Sequence, residues 1–391
     1  MTFDVRYYLP QYQELAYGLI DWVSGGIFLG QRHVYMSPQI DDILNPQGVW
    51  GNGDVNGGGT FRMSGNDFNL IRSWQAQAQT QPTTKNLRLT WCFVANGANP
   101  QFWDSGTSDS LVTAINQGQA DFHWVNHTFD HTGLDGDSYA TAYAEIAGAY
   151  PVPYLSPFQN YSSQNLVTPG TSGLTTPAVM QAAWDAGVRY IIMNPQMDGL
   201  PTPVFDGGAY NPSQPGILMI QRYAGGPYYA VTTPAQWEDE YNYIVYPDGS
   251  SHTSEADILS ANTDWLLGGM LLGDCAPWYY HQNNCLAYDG TNSLLTDTLN
   301  NLLAKYNSYF TLPVVSPTMD ELGAQMANRL AYNNSGVTGV LVPGQSITLS
   351  VVNGSPIPVT GLQAAGAETY GGQSISTVNL NAGGSVTLPL N

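Results

Sequence analysis

The segment HTFDH places two histidines, His127 and His131, four residues apart. On a helical turn, histidines at this spacing lie on one face, where both imidazoles reach a single ion. An earlier carboxylate pair, Asp41 and Asp42, follows the strand candidate RHVYMSPQI. Adjacent carboxylates at a strand end are unfavourable without a cation that neutralises them. One carboxylate and two imidazoles leave coordination positions open, which is typical of a catalytic metal. The alternative is a pair of loop-capping histidines and two solvated aspartates.

Strand candidates alternate with helix candidates up to about residue 330, which predicts a mostly parallel sheet. Several more of these strands also end in polar residues: LRLTWCFVA leads to Asn96, DFHWVN to His127, VRYIIM to Asn194, and PWYY to His281. Polar residues at the carboxyl ends of parallel strands are typical of a (β/α) barrel. We therefore predict an α/β fold, a (β/α) barrel of eight strands or fewer. An open doubly wound sheet is the alternative.

The composition changes after Asn334. From residue 337 the chain has no Lys, Arg or His, and alternating Val, Thr and Ser runs are separated by turn residues. This pattern predicts a small all-β domain. We therefore place a catalytic domain at residues 1–334 and a β-sandwich-like domain at residues 335–391. The second domain has one aromatic residue, Tyr370, so a packing role is at least as well supported as carbohydrate binding.

The net charge limits the classes of partner. The chain has 10 Lys and Arg against 30 Asp and Glu, which gives a formal net charge of −20. Nucleic acid and anionic membrane surfaces would be repelled, whereas a neutral or cationic polymer would not. No apolar run approaches the roughly 20 residues that span a bilayer. The N-terminus does not read as a signal peptide, so the expectation of secretion rests on composition and a predicted disulfide. No protein partner is inferred.

Two of the three cysteines flank a histidine. Cys275 and Cys285 are ten residues apart on either side of His281, and Cys92 lies in an apolar strand candidate. We predict a Cys275–Cys285 disulfide, with Cys92 buried and unbonded. Three reduced core cysteines are the alternative.

The Asp-Asp pair and the stretch NHTFDH resemble the first two motifs of the polysaccharide deacetylase superfamily (carbohydrate esterase family 4, with a NodB-type domain). The resemblance implies that Asp41 is the general base. It also implies that Asp42, His127 and His131 hold a divalent metal, usually Zn²⁺, and that a late histidine, here His281, is the general acid.

Four further segments look closest to the fungal galactosaminogalactan deacetylase branch (carbohydrate esterase family 18). These segments are FRMSGND, NYSSQNLVTPGTSGL, TPAQWEDEYNYI and PWYYHQNNCLAY. The branch implies a substrate that is an N-acetylated amino-sugar polysaccharide containing N-acetylgalactosamine or N-acetylglucosamine. The sequence departs from the main family because the region of its R-x-P-Y motif, here PVPYLSPFQNYS, has no arginine to orient the base.

Polar and aromatic residues near these motifs are candidates to contact the sugar: Asn194, Trp50, Trp278 and Tyr279. Two alternatives to a deacetylase stay open at this point. A metal-independent glycoside hydrolase would pair Asp41 or Asp42 with Asp130, Asp135 or Glu238. A non-catalytic carbohydrate-binding protein would have no use for a second carboxylate beside Asp42.

Overall fold

The protein is described here by a computed structural model that covers residues 10–98, 109–150, 155–203 and 207–390. The helices of these segments are α1 (Pro10–Ser24), α2 (Gly65–Ala78), α3 (Ser110–Gly118), α4 (Tyr139–Ala147), α5 (Pro177–Asp185), α6 (Pro234–Val245), α7 (Glu255–Leu272), α8 (Leu294–Tyr309) and α9 (Met319–Asn334). None of them combines the length and the apolar composition that would be needed to cross a bilayer.

The strands run from the N-terminal region to the end of the chain. They are β1 (Phe28–Leu29), β2 (Pro38–Ile43), β3 (Gln47–Gly48), β4 (Thr60–Phe61), β5 (Thr90–Phe93), β6 (His123–Asn126), β7 (Tyr161–Leu166), β8 (Tyr190–Met193), β9 (Ala209–Tyr210), β10 (Leu218–Gln221), β11 (Tyr223–Ala224), β12 (Trp278–His281), β13 (Thr338–Val342), β14 (Ser346–Ser350), β15 (Ser355–Thr360), β16 (Glu368–Tyr370), β17 (Gln373–Leu380) and β18 (Ser385–Pro389).

The main sheet has nine strands within the described segments, in the order β11-β12-β2-β5-β6-β7-β8-β10-β9. Every neighbouring pair is parallel except β10 with β9. The sheet curls into a half-barrel, and its two edge strands have only two residues each. The other seven strands have four or more residues each, so the barrel predicted with eight strands or fewer is a half-barrel of this α/β type. All carboxyl ends of the parallel strands meet at one rim.

Helices cover the outer face of the sheet, and apolar side chains fill both faces. Trp91 and Phe93 of β5 pack with Phe68 of α2 and Leu299 of α8 in one buried cluster. Cys92, which lies between Trp91 and Phe93, faces a different buried cluster. This alternation is expected of a strand that is buried on both sides.

Local sequence signals define several of the helix starts. Ser64 begins α2 with a capping box, in which its hydroxyl accepts the Asp67 N–H and the Asp67 carboxylate accepts the Ser64 N–H. Thr318 and Glu321 form the same box at α9. At the end of α7, Gly273 has φ 73°, a conformation that glycine adopts without steric cost. These signals fix where the loops of the sheet begin.

The C-terminal residues form two further antiparallel sheets, β1-β15-β17-β16 and β13-β14-β18. Ile347 and Leu349 of β14 pack against Ile357 and Val359 of β15 in a core separate from that of the barrel. The all-β character predicted for this part of the chain is confirmed. One of its strands, β1, comes from residues near the N-terminus, so the predicted division at residue 334 stays a prediction.

Candidate active site

Asp41 and Asp42 lie at the carboxyl end of β2, and both are buried. In a regular strand, successive side chains point to opposite faces of the sheet. Here the pairing of β2 with β5 shifts between Ile40 and Ile43, and Asp42 has φ 67°. Irregularities of this kind redirect a side chain and are common beside active sites. The shift lets both carboxylates point into one site.

His127 and His131 follow β6, at the same rim as the two aspartates. The predicted helical turn is wrong, because the segment is a loop in which Thr128 and His131 have φ 68° and 58°. Side chains of the loop hold this conformation. Asn126 Oδ1 accepts the Thr128 N–H at 2.9 Å, and Thr128 Oγ1 accepts the His131 N–H at 3.2 Å. The imidazoles still converge, with ring centres 4.8 Å apart.

Asp42 brings the two histidines together. Its Oδ1 lies 3.1 Å from His127 Nε2 and 2.6 Å from His131 Nε2. One donor atom from each of the three side chains lies within 4.8 Å of the others, so the cluster could hold a metal ion. His127 Nδ1 donates to the Val167 carbonyl at 2.8 Å, so the neutral imidazole carries its lone pair on Nε2, the atom that faces Asp42 and would bind the ion. The donor set fits a divalent transition metal such as zinc.

Burial and charge act in opposite directions within this cluster. Burial by itself would raise the pKa of Asp42, but hydrogen bonds from His127 and His131 outweigh it and hold the pKa well below its ordinary value. Burial would lower the pKa of His127, yet the hydrogen bond to Asp42 and the nearby charge of Asp41 raise it. The cluster therefore favours an ionised Asp42, the form that binds a cation.

Arg222 holds Asp41 through a two-point contact. Its Nη1 and Nη2 atoms donate to the two carboxylate oxygens of Asp41 at 2.8 and 2.6 Å, and both side chains are buried. Nη1 also lies 3.3 Å from Gln39 Oε1. Burial would raise the pKa of Asp41, but the Arg222 guanidinium outweighs this effect and lowers the pKa. Arg222 thus orients Asp41, and Asp41 is not one of the three residues that could hold the metal ion.

His281 ends β12, which lies beside β2 in the sheet and pairs His281 with Asp41. Its Nε2 is 3.9 Å from Asp42 Oδ2. The rings of Tyr229 and Tyr279 make edge-to-face contacts with the imidazole, with ring centres 5.8 and 5.7 Å away. Burial lowers the pKa of His281 despite the neighbouring carboxylates. The side chain keeps 17% exposure, and His131 keeps 22%, so the site opens between these two histidines.

Comparison with known proteins decides the family. The family model of the Agd3 deacetylase domain matches residues 103–338, more than half of the chain. The chain belongs to the Agd3 deacetylase family. This result confirms the predicted resemblance and the predicted enzyme class, a deacetylase. The matched segment contains His127, His131, Arg222 and His281.

Solved structures support the fold assignment. The crystal structure of Agd3, described as a novel carbohydrate deacetylase, is similar with a TM-score of 0.80 at 19% sequence identity. The alignment covers 97% of this chain and 68% of that chain. A structure of AmyP with maltotriose aligns at 8% identity over 91% of this chain and 97% of that one, but its TM-score of 0.28 is too low to carry an argument. None of the curated proteins searched matches the chain.

Arg222 is the main site residue that sequence reasoning missed. The R-x-P-Y motif of the main deacetylase families is absent, yet a guanidinium reaches Asp41 from a different strand of this Agd3-family chain. The signal was present in the sequence. Arg222 directly follows the apolar run ILMIQ, so it has the same strand-end placement that singled out His127 and His281.

The residues predicted to contact sugar have different environments. Trp50 and Trp278 are only 4% and 5% exposed, so their rings pack in the core, and contact of these residues with a sugar stays a prediction. The indole of Trp50 donates to Asp239 at 2.7 Å. Asn194 is exposed and donates to Thr171 Oγ1 at 3.0 Å. Tyr279 is half-buried beside His281, with the Arg222 guanidinium 4.9 Å from its ring centre.

The predicted disulfide between Cys275 and Cys285 is contradicted by the structure, which has no such bond. The two residues lie beyond opposite ends of β12 and pack in different buried clusters. Cys275 Sγ lies 3.6 Å from Arg329 Nη1, whereas Cys285 Sγ lies 3.8 Å from the carbonyl of His281. A four-residue strand between the cysteines, rather than a loop, keeps the thiols apart. Cys92 is buried and unbonded, as predicted.

Of the three carboxylates that a glycoside hydrolase would pair with Asp41 or Asp42, Asp135 and Glu238 are engaged in structural contacts, whereas Asp130 is exposed. Asp135 Oδ1 accepts the Gly173 N–H at 2.7 Å. Glu238 accepts the Glu255 N–H at 2.8 Å and lies 3.3 Å from His252. Both carboxylate oxygens of Asp41 accept hydrogen bonds from Arg222, and Asp42 contacts His127 and His131. These contacts leave neither Asp135 nor Glu238 free to act as the second carboxylate of a glycosidase.

Proposed function

We propose that this protein is a metal-dependent N-deacetylase that acts on an amino-sugar polysaccharide, with the ion held by Asp42, His127 and His131. One observation carries the proposal. The Nε2 atoms of His127 and His131 converge on one oxygen of Asp42. A second carboxylate, that of Asp41, is held beside this group by Arg222 and is not needed to bind the ion. A structural metal site has no use for that second carboxylate. A hydrolase needs it as a base.

The donor set is that of a catalytic zinc centre. Zinc binds imidazole nitrogen and carboxylate oxygen, and catalytic zinc sites retain at least one position for water or substrate. Of the three ligands, His131 is the more exposed, at 22% against 3% for His127 and 5% for Asp42. We place the open position on the His131 side. When bound, a divalent ion here supplies Lewis-acid chemistry, polarising the acetyl carbonyl and lowering the pKa of a water molecule.

Asp41 takes the proton of the attacking water. A carboxylate has about four lone-pair sites, so two hydrogen bonds from Arg222 leave room for a proton. The two-point contact also fixes the plane of the carboxylate, which is how a base is kept within reach of its proton. Arg222 is therefore a positioning residue for Asp41.

His281 protonates the departing amine nitrogen. It lies on the strand next to Asp41, and its Nε2 faces the same carboxylate as the metal-binding imidazoles. An amide expels its amine poorly, so the nitrogen must gain a proton as the C–N bond breaks. Edge-to-face contacts with Tyr229 and Tyr279 limit the rotation of the imidazole.

We infer an N-acetylated hexosamine polymer as substrate, with N-acetylgalactosamine-containing polymers favoured and chitin-like polymers second. The protein named Agd3 is described as a carbohydrate deacetylase, and this chain shares its family. The net charge of −20 suits a polymer that becomes cationic as acetyl groups leave. A polymer substrate of this kind also supports a location outside the cell.

The test is acetate release from a panel of polymers: poly-N-acetylgalactosamine, chitin oligomers and O-acetylated xylan. The proposal expects release from at least one N-acetylated polymer, and expects that release to stop after chelation and return when zinc is added. Release from acetyl-xylan alone would overturn the N-deacetylase assignment. Hydrolysis of glycosidic bonds that persists in chelator would favour the glycosidase instead.

A further inference from the structure

A pocket of about 290 Å³ is lined in part by residues that are neighbours in sequence of the metal-binding residues. Its walls come from the segments that follow three adjacent parallel strands, β2, β5 and β6, and include Leu44, Asn96 and Asp130. Leu44 is two residues from Asp42, and Asp130 directly precedes His131. The pocket is just below the range of about 300–1,000 Å³ that is usual for small-molecule sites, which suits a single sugar ring.

The cationic group of this pocket is already engaged. Arg62 Nη2 donates to Asp109 Oδ2 at 2.7 Å, and Arg62 Nε donates to the Leu44 carbonyl at 3.1 Å. The Arg62–Asp109 ion pair has no net charge. Arg62 therefore shapes the wall of the pocket and gives no positive charge to a ligand.

Asp130 provides the negative charge of the pocket. Its side chain is exposed, and its Oδ1 accepts a hydrogen bond of 2.5 Å from Asn96 Nδ2, a neutral group. Among residues that the structure describes, no Lys, Arg or His lies within ion-pair distance of Asp130. A second carboxylate, Glu145, accepts the Asp130 N–H at 2.9 Å and adds negative charge behind the loop. The pocket thus offers a carboxylate oxygen and an amide oxygen to a ligand that donates hydrogen bonds.

We propose that this pocket binds the sugar adjacent to the one being deacetylated, and that Asp130 selects a free ammonium group on that sugar. The inference rests on the proposed N-deacetylase function, because that reaction creates free amines on its own polymer. An ammonium group donates charge-assisted hydrogen bonds to Asp130 and Asn96, whereas an acetamido group has no charge to offer. Each free amine that the reaction creates then raises the kcat/KM for deacetylation of the neighbouring sugar. The enzyme produces runs of free amines rather than scattered ones.

The experiment compares two tetramers of the same N-acetylhexosamine, one fully acetylated and one with a single free amine at a defined position. The wild-type kcat/KM for acetate release should be roughly tenfold higher on the tetramer with the amine, since hydrogen bonds to charged groups are the strong ones. High salt should reduce the ratio. Asp130→Asn should bring the ratio close to one, and Asp130→Glu should keep it above one.

Asp121→Asn is the matched control, because it makes the same side-chain change before the amino end of β6, whereas Asp130 follows the carboxyl end of that strand. This variant should keep the wild-type ratio. A wild-type ratio of one or below overturns the inference and leaves the deacetylase assignment intact. An unchanged ratio in Asp130→Asn overturns it as well. If Asp130→Asn is inactive on both tetramers, Asp130→Glu decides, since loss of the ratio there contradicts recognition by charge. No acetate release from either tetramer by the wild type would count against the proposed function itself.

Discussion

The guanidinium of Arg222 donates hydrogen bonds to both carboxylate oxygens of Asp41, at 2.8 and 2.6 Å. The two residues are 181 positions apart in the sequence. Both side chains are buried, at 6% and 5% exposure, so water does not substitute for either partner. The contact joins the end of β10 to the end of β2, which lie on different parts of the half-barrel rim. It orients the proposed base and also neutralises a charge that would otherwise be buried alone.

Arg222→Ala should damage both stability and activity. Removing one partner of a buried ion pair typically costs about 3–5 kcal/mol, because the other charge is left without compensation. Misplacing a catalytic group by about 1 Å can lower the rate roughly 10²-fold, so loss of the contact that orients Asp41 should lower activity by about that factor. The stability and activity of Arg222→Lys should lie between those of wild type and Arg222→Ala. Lysine keeps the positive charge but cannot donate to both carboxylate oxygens in the planar geometry of a guanidinium. Denaturant midpoints and acetate release measure the two effects.

Arg72→Ala is the control for this comparison. Arg72 pairs with Asp121 on the surface, where the two side chains are 40% and 45% exposed. Exposed pairs of this kind contribute about 0–1 kcal/mol. Wild-type activity and stability in Arg222→Ala would show that the grip on Asp41 has no part in the reaction.

Asp41→Asn should keep the metal and lose the rate. The substitution removes the proton acceptor with little change of shape, and none of the metal-binding contacts uses Asp41. A general base contributes about 10²–10⁴-fold, so acetate release should fall by that range. Asp42→Asn should instead lose the bound ion. Metal content measured by mass spectrometry separates the two variants, and the opposite pattern would mean that the two aspartates exchange roles.

His281→Ala should slow amide hydrolysis more than ester hydrolysis. Proton donation by a positioned acid contributes about 10²–10⁴-fold when the leaving group is poor. An activated aryl acetate has a good leaving group, so its hydrolysis should fall much less. The comparison uses one N-acetylated oligomer and one aryl acetate with each variant. His252→Ala, at a histidine that is 64% exposed, should match wild type on both. Equal losses on the two substrates would remove the acid role from His281.

His123 should make the protein sensitive to acid. It lies at the amino end of β6, away from the metal-binding rim, and burial lowers its pKa to about 4. The unfolded chain binds a proton near pH 6.5, whereas the folded protein resists it until about pH 4. Between these values the unfolded state holds more protons, so stability falls as the pH falls.

His123→Gln removes this titration. Denaturant midpoints measured from pH 7 to pH 4 should decline less steeply for His123→Gln than for wild type. His252→Gln, which changes an exposed histidine, should follow the wild-type curve. Parallel curves for wild type and His123→Gln would contradict the assignment of acid sensitivity to this residue.

The sequence predicts which site residues lie at the carboxyl ends of strands. Asp42, His127 and His281 each close or follow an apolar run, and the carboxyl ends of parallel strands share one rim of the sheet. That rule brings the three residues together without any knowledge of the loops. Arg222 obeys the same rule. The sequence does not single it out, because the strand before it is only four residues long and its partner, Asp41, is 181 positions away.

The remaining errors concern properties that local pattern does not encode. The loop from His127 to His131 depends on hydrogen bonds to Asn126 and Thr128 that overrule the helical spacing. The exposure of a tryptophan is also not encoded locally, and Trp50 and Trp278 are only 4% and 5% exposed. Spacing alone cannot tell whether a strand or a loop joins two cysteines.

The most direct test of the account is a metal titration of activity. Protein stripped by chelator should release no acetate from its N-acetylated substrate, and activity should rise linearly with added zinc until one equivalent per chain is bound. His127→Ala, treated in the same way, should neither bind the equivalent tightly nor recover activity. Full activity in metal-free protein, or full recovery by His127→Ala, would contradict the assignment of a catalytic metal to Asp42, His127 and His131.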